Sequence, residues 1–133
     1  EIGQTEARHC AALRVAVLHH HLIGAPWRAA RKRPVSRRNH VLRALLDAGA
    51  DLILAGHIHQ AAVSERHDFE VVGDEAHTAV VAVAPGLGQP RPRRLGEARG
   101  LHLHEADAEA IVVRTFRWSR GDWTLSAERR FGR

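Results

Sequence analysis

Residues 13–21 read Leu-Arg-Val-Ala-Val-Leu-His-His-His, and residues 51–59 read Asp-Leu-Ile-Leu-Ala-Gly-His-Ile-His. Each is a short apolar run, rich in branched side chains, that stops on histidine. Runs of this length and composition suit strands buried on both faces. A helix signal stands between them. Ser36 occupies an N-cap position with Asn39 three residues on, Val41, Leu42, Leu45 and Leu46 form one apolar stripe, and Gly49 supplies a stop. Strand, helix, strand in that order predicts a right-handed crossover joining two parallel strands. Parallel strands end on the same edge, and open α/β sheets hold ligands there. His19 and the pair His57 and His59 are therefore expected on one rim.

Further along, Thr78 to Ala84 is a third apolar run, stopped by Pro85-Gly86. A basic, turn-rich segment follows at residues 86–100. Alternating stretches at Leu101–His104 and Ile111–Trp118, a turn at Arg120-Gly121-Asp122 and a last stretch at Trp123–Ala127 predict an antiparallel meander. His102 and His104 alternate with leucines, which predicts that they face outward. The fold expected is α/β: a βαβ unit followed by antiparallel strands.

Neutral imidazole is a standard ligand for divalent transition metals. Two histidines around one residue, straight after a strand, can face one metal or two, and Gly56 before them lets the backbone approach closely. A lone His-x-His pair is a weak signal in a chain with 11 histidines. The combination says more. An apolar strand ending in His19-His20, then a helix, then an apolar strand ending in Gly56-His57-Ile58-His59, resembles the C-terminal half of the bacterial calcineurin-like metallophosphoesterases. Ala84-Pro85-Gly86, a basic loop and a β meander extend the resemblance from about Leu13 onward.

The resemblance implies a β-sandwich flanked by helices, of which residues 1–133 are the C-terminal part. It implies a phosphodiesterase or phosphatase with two divalent metal ions (manganese, iron, zinc or cobalt). His19, His57 and His59 take the positions of metal ligands, and His20 that of a substrate-facing residue. His21 and Leu22 stand where many members have proline. The family's first half brings Asp-x-His, Gly-Asp-x-x-Asp and Gly-Asn-His motifs, and none occurs here; Asp51, Asp68, Asp74 and Asp107 lie outside such motifs. This chain alone therefore offers no catalytic residue, and its expected partners are a phosphate-ester substrate and the missing N-terminal half.

Composition bounds the alternatives. A length of 133 residues with 44% hydrophobic and 26% charged residues fits one small globular domain. No apolar run approaches the roughly 20 residues that span a bilayer. One cysteine, Cys10, and the lack of a leader-like opening point to a reducing, cytoplasmic setting. The chain holds no methionine, so the expectation is a piece of a longer protein extending upstream of Glu1. A net charge of +5 raises a second class, an Arg-rich module for nucleic acid or an acidic partner. The positive charge is almost all arginine, spread along the chain, and the dense run at residues 28–38 reads as a solvated loop. The arginines of residues 91–94 are either a solvated turn or forks that face phosphate. A metallo-β-lactamase is excluded because Ala61 and Ala62 stand where its aspartate and histidine belong.

Overall fold

The structure is a computed structural model that describes residues 12–22, 35–56, 69–73, 77–87 and 99–133. Strand β1 (Val15–Val17) leads to helix α1 (Arg38–Asp47) and then to β2 (Leu52–Ala55). Strands β3 (Phe69–Gly73) and β4 (Thr78–Val83) follow, and then β5 (Gly100–Ala106), β6 (Ala110–Ser119) and β7 (Asp122–Gly132). The first four strands form one sheet in the order β1-β2-β4-β3, and the last three form a second in the order β5-β6-β7.

The expected parallel pairing of the two strands is present. β1 pairs with β2 in parallel, Val15 opposite Leu52 and Val17 opposite Leu54, and β2 pairs in parallel with β4. Both faces are covered at β2 and β4, which is why those strands read as unbroken apolar runs rather than alternating ones; β1, at the end of the strand order, leaves Val15 and Val17 exposed. On one face Ile53, Ala55, Ala79, Val81 and Val83 pack under Val41, Leu42, Leu45 and Leu46 of α1. On the other, Leu52, Val80 and Ala82 pack against Ile111 and Val113 of β6. Each fully buried valine, leucine or isoleucine among them contributes about 1.5–3 kcal/mol of transfer free energy. The layers are thus helix, mixed sheet, antiparallel sheet.

Helix α1 ends as its sequence dictates. Gly49 adopts a positive φ of 76°, its N–H reaches the Leu46 carbonyl, and the Ala50 N–H reaches the Leu45 carbonyl. That pair of bonds closes a Schellman motif. The start differs from the expectation: the N-cap is Arg37, not Ser36, at φ 54° and with no side-chain capping bond. β3 was not read from the sequence; it pairs antiparallel with β4 at the sheet edge. Gly73 is required at the end of β3, because at φ 137° an added Cβ would lie 2.1 Å from the His77 carbonyl oxygen.

The meander is longer than its alternation suggested, with β7 running to Gly132. Arg120 and Gly121 both take positive φ, the mark of a tight two-residue hairpin. Its facing also differs. Ile111, Val113 and Thr115 of β6 point inward, and their partners on β5 are Ala106, His104 and His102. The two histidines therefore share the inner face, and Leu103 is turned to solvent.

Candidate metal centre at the carboxyl edge of the parallel strands

The pairing of β1 and β2 continues past the strands themselves. The Leu18 N–H bonds the Leu54 carbonyl at 2.8 Å, and the Gly56 N–H bonds the His19 carbonyl at 3.3 Å. His19 is thereby fixed beside the residue that precedes His57. His57 and His59 themselves lie outside the described residues, as do Cys10 and the arginines of residues 91–94. His19 and His20 are exposed at this edge, their rings 4.9 Å apart and nearly perpendicular. Among the described residues, no group of three or more His, Cys, Asp or Glu side chains is placed to hold a metal ion.

His21 and Leu22 leave the rim. Both are buried, and Leu22 joins the core under α1. The His21 carbonyl accepts from the Val35 N–H at 3.1 Å, which delivers the start of α1 to the same edge. The first turn of α1 holds no acidic residue. Arg37, Arg38, Asn39 and His40 line, with Val35, an open depression of about 350 Å³. The helix start and the two guanidinium groups all present positive charge there. Gly56 shows no steric demand among the described residues: an added Cβ would meet only the His19 carbonyl oxygen, at 3.7 Å. Its close approach to β1 is a backbone hydrogen bond that any residue but proline could make.

The third segment of the edge leaves β4. The Ala84 N–H bonds the Ala55 carbonyl at 2.7 Å, and the Gly100 N–H bonds the Gly86 carbonyl at 3.3 Å. Beneath it sits a side chain that sequence reasoning missed. His102 Nε2 lies 3.2 Å from the Val83 carbonyl oxygen and Nδ1 lies 3.0 Å from Thr115 Oγ1. A carbonyl only accepts, so Nε2 carries the proton, and in the neutral ring Nδ1 accepts from the Thr115 hydroxyl. Burial pushes the His102 pKa down to about 4; the bond to Val83 opposes this and the nearby His104 adds to it. Burial also lowers the pKa of His104. Leucine–histidine alternation hid both residues, and the only sequence signal was the stronger apolar face of β6 that they pair with.

No protein-family model matches the chain, and no curated protein matches it. Several solved structures are similar to it in part. A single-site mutant of Vps29 from Entamoeba histolytica aligns over 89% of this chain and 54% of its own, at 13% identity and a TM-score of 0.45. Vacuolar protein sorting 29 from Cryptosporidium parvum aligns over 76% and 47%, at 13% identity and a TM-score of 0.44. Wild-type Vps29 from Entamoeba histolytica, complexed with zinc, aligns over 75% and 48%, at 14% identity and a TM-score of 0.45. The chain thus spans about half the length of the structures it aligns with.

Proposed function

We propose that this chain is the C-terminal part of a metal-dependent phosphoric ester hydrolase, with His19, His57 and His59 as ligands of a dinuclear centre. The observation that carries the reading is the bond from the Gly56 N–H to the His19 carbonyl, which puts the backbone before His57 beside His19 at the ligand-binding edge of a parallel sheet. Neutral imidazoles suit manganese, iron, zinc or cobalt. Three of them leave coordination positions for carboxylates, which the N-terminal half of such a domain would bring. A bound metal pair supplies a more acidic water and neutralises charge that develops at phosphorus.

The chain's own residues have separate roles in this reading. His20, exposed beside His19, orients substrate. Arg37 and Arg38 at the start of α1 draw the phosphate ester to the edge, since helix starts and arginine forks both favour phosphate oxygens. The reading fits a phosphodiester or a phosphomonoester, and goes with a cytoplasmic setting.

Some of the arginines that an Arg-rich binding module could use are paired within the fold. Arg114 is held by Glu105 and Glu128, Arg133 by Asp51, and Arg43 by Asp47. Those cations are already engaged within the fold.

Manganese or zinc titrated into the 133-residue chain tests the proposal. His57→Ala and His59→Ala should each weaken binding by more than about 100-fold, beyond the usual effect of residues that only support ligands. The chain alone should not hydrolyse bis(p-nitrophenyl) phosphate with manganese. Metal binding indifferent to both substitutions, together with steeply salt-dependent DNA binding, would replace this reading with the binding module.

A further inference from the structure

Four hydrogen bonds around the edge form one continuous row. The Thr115 hydroxyl donates to His102 Nδ1, and His102 Nε2–H donates to the Val83 carbonyl. That carbonyl belongs to the same peptide group as the Ala84 N–H, which donates to the Ala55 carbonyl. The Ala55 carbonyl in turn shares its peptide with the Gly56 N–H, which donates to the His19 carbonyl. Every bond points the same way, from the second sheet, across β4 and β2, to the peptide between His19 and His20.

We propose that His102 is a positioning residue for the edge: its imidazole anchors this row of peptide groups and so sets the spacing of the strand ends at His19 and Gly56. Three features of the molecule support it. Bonds aligned in a chain polarise one another, so the donor at the head strengthens those downstream, by about 10–30% per bond. The two peptides in the row are the first past the ends of β4 and β2, where the ladder between the strands stops. The ring is itself held at both nitrogens, and Thr115 beneath it is buried. The imidazole is therefore a fixed reference for a stretch of backbone that leaves regular structure. The proposal rests on the metal-site reading in one respect only, that the edge is where the ligands stand.

Amide hydrogen exchange in the 133-residue chain tests it. His102→Leu keeps the bulk and removes both nitrogens, His102→Gln restores one N–H donor, and Thr115→Val removes the hydroxyl at the head of the row. In His102→Leu the amides of Gly56 and Ala84 should exchange at least tenfold faster relative to those of Leu52 and Val80, which bond at the opposite edge. His102→Gln should return them to within a few-fold of wild type, and Thr115→Val should fall between. Manganese affinity should drop by about 10–100-fold in His102→Leu and recover in His102→Gln, as for residues that orient ligands. Unchanged exchange at Gly56 and Ala84, or equal acceleration at Leu52 and Val80, overturns the proposal. If His102→Leu does not fold, the same criteria apply to Thr115→Val against His102→Gln. Should wild-type metal binding prove independent of His57, the metal-site reading fails while the exchange comparison still decides the role of His102.

Discussion

The two sheets divide the work unevenly. In the first, β1 has three residues and β2 four, both faces are covered at β2 and β4, and the strand ends carry the candidate chemistry. In the second, β6 and β7 have ten and eleven residues, and Arg114 lies between Glu105 and Glu128. Strands of three and four residues make few ladder bonds of their own. The order of β2 is lent by what covers it, α1 on one side and β6 on the other, and that of β1 by α1 through Ala16 and by its pairing with β2. An edge on short strands is thus only as well defined as the layers that support it.

A matched pair of substitutions tests that division. Ile53→Ala in the first sheet and Ile111→Ala in the second remove the same atoms from sites of 0% and 1% exposure. Each should cost about 2–5 kcal/mol in denaturant melts. Only Ile53→Ala should also weaken metal binding, because Ile53 lies on β2, three residues before Gly56 at the edge. Equal losses of affinity in both variants would mean that the edge senses global stability rather than its own strand.

Acid sharpens the same contrast, and the expected effect is smaller. His102 is neutral in the fold, with a pKa near 4 against 6.5 when unfolded. Above pH 6.5 neither state takes up this proton, so stability is unaffected. As the pH falls from 6.5 to 4 the unfolded chain is protonated first and stability drops, levelling off below about 4 at a loss of about 3 kcal/mol at most. His104 acts in the same direction. Melts of wild type and His102→Gln across this window should converge as the pH falls; parallel curves would show that the ring is not buried as described.

How far the sequence reached follows from the same difference. Strands covered on both faces announce themselves as apolar runs, so β2 and β4 were readable; β1 was readable from its branched residues although Val15 and Val17 are exposed, and Gly49 marked the end of α1 unaided. The inner face of the second sheet was misread because Leu101-His102-Leu103-His104 suggests leucine inside. The register with β6 decides otherwise: Ile111 and Val113 claim the interior and bring His104 and Ala106 with them. Ser36 looked like the cap because its side chain can bond a backbone N–H, yet Arg37 holds that place through its backbone alone. That β1 and β2 end side by side was legible, since parallel pairing needs only the pattern of strand, helix and strand; the expected meeting of His19 with His57 and His59 lies outside the described residues. His102 was not legible, because its role arises from two strands that meet only in the folded chain.

The tight turn at Arg120 and Gly121 bears on the order of events as the chain folds. It joins β6 and β7 over the shortest possible loop, whereas Asp51 and Arg133 are bridged across 82 residues of sequence. Local hairpins close in about 1–10 μs, while long-range and parallel pairings must first meet the entropy of closing large loops. The β6–β7 hairpin should therefore be the earliest durable structure, offering Ile111 and Val113 as a template on which β2 and β4 condense. Pulse-labelled amides of β6 should gain protection before those of β2, and the edge that carries His19 should be the last part of the molecule to take shape.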